Sequence, residues 1–163
     1  MKKNLALIIV FIWIMTGCQN NKQKILEFNQ SIITEQEAVF MAENKLVKTL
    51  NSKAITLLDS NYQFLLQQII RSDSILSKIS DPEPKIGFKQ AAIHLVNVYK
   101  VQTITGYSKL VELSKIPDSL YSPREAKKFE EISSSVFVTL NAEFDEFINV
   151  QSKLIEKYEF LKK

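Results

Sequence analysis

Few residues in this chain are equipped for chemistry. It holds one cysteine, Cys18, and one histidine, His94. A di-iron helical site needs Glu-x-x-His, and the residue three before His94 is Ala91. A zinc site built on two histidines lacks its second imidazole, and a Cys/His site lacks its thiols. His94 therefore reads as a partly exposed helix residue with no catalytic role. Carboxylates cluster as Glu35, Glu37 and Glu43, then as Glu130, Glu131, Glu143, Asp145 and Glu146. Glu35 and Glu37 lie about 200° apart around a helix and cannot share a face, whereas Glu143 and Glu146 can. A solvated face of mixed sign is the expectation, with a divalent-cation site or an acid/base pair as the alternative. Gln36, Gln102 and Gln151 are more unusual, because they fall at or near apolar seams on three different helices. They are either a register device among interchangeable apolar layers or a polar spot that orients a ligand in an apolar groove. Tyr99, Tyr107 and Tyr121 form either an aromatic docking patch or core-edge rings with their hydroxyls in water. No catalytic set, cofactor site or metal site emerges.

The N-terminus is more specific. Lys2 and Lys3 precede an uninterrupted apolar run from Leu5 to Met15, and Thr16-Gly17 then leads to Cys18. A membrane-spanning helix needs about 20 apolar residues, which this run does not reach. A conventional secretory signal wants an A-x-A-like cleavage site, and none is present. A buried core helix leaves the two lysines and the lone thiol unexplained. The order of charge, apolar core, small residues and cysteine resembles a bacterial lipoprotein signal with its lipobox, with Met15 where leucine is usual. That resemblance implies cleavage before Cys18, acylation of its thiol, and a mature chain of residues 18–163. An uncleaved anchor is the alternative. With Cys18 acylated no thiol remains for disulfides or thiol catalysis, and the fatty-acyl (palmitate-type) modification makes the membrane a partner. The residue after the cysteine is Gln19, and Gln19-Asn20-Asn21-Lys22 contains no acid. The expected location is the outer membrane, facing the periplasm.

Losing Lys2 and Lys3 takes the formal charge from +3 to +1, so the exported part is close to neutral. No basic cluster reads as a nucleic-acid footprint, and no nucleic-acid partner is expected. Only Gly17, Gly87 and Gly106 are glycines, which argues against tight-turned sheets, phosphate loops and dinucleotide folds.

Helical spacing dominates from residue 23 onward. A first helix is expected from about Gln23 to Leu50, with Ile25, Phe28, Ile32, Val39, Leu46 and Leu50 on one stripe. Asn51-Ser52 breaks it. A second, Lys53 to Ile79, carries Leu58, Tyr62, Leu65, Ile69, Leu76 and Ile79. Asp81 can cap with Pro82 at the first helical position, and the third helix is expected from about Pro84 to Ser114. Its stretch from Ala91 to Ile104 is apolar around much of its circumference, while Ala91, Ala92 and Gly106 permit close approach. After a linker at Ile116 to Tyr121, Ser122-Pro123-Arg124-Glu125 is a capping box opening a last helix to about Phe160. Its stripe includes Ala126, Phe129, Val136, Leu140, Phe144 and Phe147, with Phe137 adding bulk. Four such helices joined by short connections predict an all-α, elongated, up-and-down antiparallel four-helix bundle in a single domain.

Phe28-Asn29-Gln30-Ser31-Ile32-Ile33, Phe144-Asp145-Glu146-Phe147 and Tyr158-Glu159-Phe160 make the mature chain similar to small helical surface lipoproteins of Bacteroidota and spirochaetes. That likeness implies a lipid-anchored bundle and carries no catalytic residues across. The leading expectation is a non-enzymatic, membrane-tethered module that binds another protein or envelope component. Its tether is short, Gln19 to Gln23. The alternative is a carrier of a small apolar ligand or lipid in a cleft beside the third helix, which a cavity of several hundred cubic ångströms would favour. A third reading is an enzyme whose site is not recognisable from the sequence.

Overall fold

The structure, a computed structural model, describes the backbone of residues 2–162 and the side chains of residues 21–162. Cys18 and the whole apolar leader therefore lie outside the described side chains. The described residues are all-helical, without strands. The helices are α1 (Lys2–Asn51), α2 (Ile55–Lys78), α3 (Phe88–Gln102), α4 (Ser108–Ser114) and α5 (Pro123–Lys157). A π turn, Thr103–Tyr107, runs α3 into α4, so the described residues make four helical rods. Short 3₁₀ turns occupy Asp118–Leu120 and Glu159–Leu161.

The stripes expected on α1 and α2 form the core. Ile25, Phe28, Ile32, Val39, Leu46 and Leu50 are buried on α1, and Leu58, Leu65, Ile69 and Leu76 on α2. The slot that Ser72 fills in the α2 seam is also buried: its hydroxyl meets the Glu35 carboxylate at 2.8 Å. At the other end of the same pair, Asn61 donates to the Thr49 hydroxyl at 2.6 Å. The polar stretch Gln19 to Gln23, expected as a tether, belongs to α1, since no proline interrupts the helix there.

Two further boundaries differ from expectation. The third helix starts at Phe88 and not at about Pro84. Asp81 accepts from the Glu83 N–H at 2.9 Å and so caps a turn, while Gly87 takes the left-handed φ of 78° that brings the chain into α3. Lys89 closes the exit of α2 by donating to the Ser77 and Ile79 carbonyls at 2.9 and 2.7 Å. The last helix ends at Lys157, three residues early, and turns 3₁₀. Its start is as expected. Ser122 accepts from Arg124 N–H at 3.2 Å, and Glu125 accepts from Ser122 N–H at 3.1 Å, closing the capping box.

Packing is uneven. α2 lies on α1 and on α3, and α3 also packs on α5, which makes it the most enclosed rod. Ala92, Leu95, Val96 and Tyr99 are buried there, although Val101 and Ile104 face outward. At Gly106 the approach to α5 is so close that an added Cβ would sit 2.3 Å from Val136 Cγ2. By contrast, α1 and α5 scarcely touch. That gap overturns one expectation about bulk. Val136, Leu140, Phe147 and Leu154 are buried on α5, but Phe137 is 67% exposed and Phe144 40%, because no helix covers the side of α5 that looks toward α1.

Candidate functional site

The gap between α1 and α5 is a groove of about 810 Å³. Its walls are apolar: Ile33, Phe40 and Val47 on α1 face Phe137, Phe144 and Ile148 on α5. These positions recur at seven on α1 and at seven and four on α5, so one face of each rod supplies a wall. An aromatic stack lies beneath the Asn29 end of the groove and meets it through Phe147. Phe88 lies between Phe28 at 5.9 Å, edge-on, and Phe147 at 5.3 Å, stacked. Gln151 spans the same end, reaching Asn29 Oδ1 at 3.4 Å.

Toward the far end of the groove the floor turns polar. Gln36 is 5% exposed and donates from Nε2 to the Ala92 carbonyl at 2.8 Å. A carbonyl accepts only, so this bond fixes the amide's orientation and leaves Oε1 as the free acceptor. That Oε1 is buried and has no partner. Two helical turns on, half-buried Glu43 accepts a hydrogen bond from the Tyr107 hydroxyl, and the Tyr99 hydroxyl also faces it. Burial pushes the Glu43 carboxyl above its ordinary range, and the two phenols offset part of that rise. Burial and the neighbouring carboxylate hold both tyrosines well above their ordinary range, so they stay protonated donors. The π turn aims Tyr107 at Glu43, a register that an unbroken α-helix would alter.

Of the two readings of the tyrosines, Tyr99 and Tyr107 follow the core-edge one in burying their rings and form no docking patch, but their hydroxyls meet Glu43 and not water. Of the glutamines, Gln36 and Gln151 line the groove, whereas Gln102 sits at the end of α3 beside Gly106. His94 is exposed and pairs with Glu143 at 2.9 Å on α5. Among the described residues, no group of three or more His, Cys, Asp or Glu side chains is placed to hold a metal ion. Nor is any helix among them long and apolar enough to cross a membrane. Glu43 was expected on a solvated face. Its position, four after Val39 and three before Leu46, already put it beside the core stripe. The aromatic walls left less trace, because their exposure depends on α1 and α5 standing apart.

No family model matches the chain, and no curated protein or solved structure matches it either.

Proposed function

We propose that this protein is a lipid-anchored module of the bacterial cell envelope that carries a small apolar ligand in the α1/α5 groove. The groove is the observation that carries the reading. It runs from Asn29 to Val47 on α1, roughly 27 Å at the helical rise. That length and volume accommodate an extended hydrocarbon chain against Phe40, Phe144 and Ile148, which supports the carrier reading. The volume also lies within the range typical of small-molecule sites.

The arrangement behind the groove is an up-and-down antiparallel bundle left open along one flank. Support comes from the α1–α2 cross-links, which pair Thr49 with Asn61 and Glu35 with Ser72, and from Gln151 meeting Asn29. The anchor reading rests on Lys2-Lys3, the apolar run and Thr16-Gly17-Cys18. Acylation at Cys18, with more than one chain, holds the module stably on the outer membrane facing the periplasm. The protein acts without catalysis.

Two measurements test this. Mass spectrometry of the native protein should show a chain starting at a diacylglyceryl-modified Cys18, and Cys18→Ser should retain residues 1–17; an unmodified thiol refutes the anchor. A leaderless form bearing Cys18→Ser should brighten N-phenyl-1-naphthylamine, and Phe144→Asp should abolish the signal. Equal brightening by both forms refutes the groove as the carrier site.

A further inference from the structure

The lining of the groove is one-sided in its polar chemistry. Two carboxylates, Glu37 and Glu43, line it, and no lysine or arginine does. Between the aromatic end and Glu43 lies the Gln36 Oε1, an acceptor removed from water without a donor. A buried acceptor left unpaired costs about 1–3 kcal/mol, so a ligand that supplies an N–H there recovers a penalty already present in the empty protein. Neither phenol is free to donate to an anionic ligand, because both hydroxyls are directed at Glu43. An anionic head would meet two like charges and no cation. An ammonium head meets two opposite charges and a free acceptor.

Resting on the carrier reading, we infer that the occupant is a single-chain cationic amphiphile whose ammonium N–H groups reach Gln36 Oε1 and the Glu37/Glu43 carboxylates. Its hydrocarbon chain lies against Phe144, Phe147 and Ile148, toward the Asn29 end of the groove. The volume of the groove accommodates an extended chain, and the polarity of the floor sets its direction.

The test uses the full lipidated chain in membranes, exposed to three diazirine-bearing twelve-carbon probes that differ only in the head: ammonium, hydroxyl or carboxylate. Crosslinks are mapped by mass spectrometry. Groove-wall peptides carrying Phe40, Phe144 and Ile148 should be labelled by the ammonium probe about tenfold more than by the carboxylate probe, with the hydroxyl probe between them. Glu37→Gln combined with Glu43→Gln should bring the ammonium and carboxylate probes level. Gln36→Met, which keeps side-chain bulk, should lower ammonium and hydroxyl labelling and leave the carboxylate probe unchanged. Groove labelling that is equal for all three heads, or strongest for the carboxylate, overturns the cationic occupant and leaves the carrier reading standing. Labelling that avoids the groove walls for every head overturns both.

Discussion

The close contact at Gly106 gives the sharpest test of how α3, α4 and α5 are locked together. A methyl built on Gly106 would lie 2.3 Å from Val136 Cγ2, against an ordinary contact of 3.4–4 Å. One partner must retreat by more than an ångström, and Val136 is itself buried. Overpacking of this kind costs about 1–3 kcal/mol, while replacing a helical glycine by alanine returns about 1 kcal/mol. Gly106→Ala alone should therefore be destabilising by roughly 0–2 kcal/mol. Val136→Ala removes the offending Cγ2, and the remaining Val136 Cβ stands 3.8 Å away, an ordinary contact. In that background Gly106→Ala should stabilise by about 1 kcal/mol, even though Val136→Ala itself costs about 2 kcal/mol in lost burial. Urea unfolding followed by far-UV circular dichroism, run on all four members of the cycle, measures the coupling. The decisive outcome is a change of sign. An effect of equal sign and size in both backgrounds would refute a direct clash and, with it, the close seating of α5 on the π turn that aims Tyr107 at Glu43.

Glu43 makes a pH-dependent contribution of defined sign. Its folded value is raised above the ordinary 4.5, so the folded state holds its proton more tightly than the unfolded state. Stability from this group is fully present below 4.5 and declines as pH rises through the folded value, and Glu43→Gln should lack that decline in pH-resolved urea melts. Ser122→Ala removes one half of the capping box on α5 and should cost about 1 kcal/mol, whereas Ser122→Gly should cost only a few tenths; thermal melts distinguish the two. Gln36→Met deletes both the bond to Ala92 and the orphaned Oε1, so stability should be unchanged or higher by about 1 kcal/mol, while a simple loss of more than about 2 kcal/mol would contradict an unpaired acceptor there. Asn44→Leu with Asn141→Leu makes both sides of the groove more apolar; it should raise the urea midpoint and reduce binding of N-phenyl-1-naphthylamine as the walls close.

Local rules were legible wherever a few neighbouring residues decide the structure. Ser122, Pro123 and Glu125 specify the start of α5 by themselves, and Asn51-Ser52 marks the end of α1 to within a residue. The seam of Leu58, Leu65, Ile69 and Leu76 follows from spacing alone. The start of the third helix, expected at about Pro84, falls at Phe88, because the turn in which Ile86 N–H meets the Glu83 carbonyl is broken from the helix by the left-handed Gly87. The side chain of Glu83 is used otherwise, pairing with Lys157 at 2.6 Å and accepting from the Tyr158 hydroxyl, and so ties the loop to the end of α5. Non-local features were not legible. That Tyr107 meets Glu43 depends on a π turn and on the register of two helices 64 positions apart in sequence. That Phe137 and Phe144 stand open depends on where α1 is not.

The open flank calls for a physical cause, because closing it would appear favourable. Phe40, Phe137, Phe144 and Ile148 are between 40% and 67% exposed, and burying a large apolar side chain is worth about 1.5–3 kcal/mol. Apolar walls alone would therefore draw α1 and α5 together. What opposes closure is interleaved with those walls: Asn29, Gln30, Glu37 and Asn44 on α1 and Asn141 on α5 also line the groove. Each would have to be buried with its hydrogen-bonding groups matched, at about 1–3 kcal/mol for each group left unpaired. At one end a match is made, where Gln151 reaches Asn29. Further along, no hydrogen bond among the described residues joins the polar groups of α1 to α5. The two contributions are of the same size and opposite sign, which leaves a slot that is apolar enough to hold a hydrocarbon chain and too polar to collapse on itself. A chain entering the slot buries the phenylalanines without desolvating the rim amides, so it obtains the gain that direct helix pairing cannot.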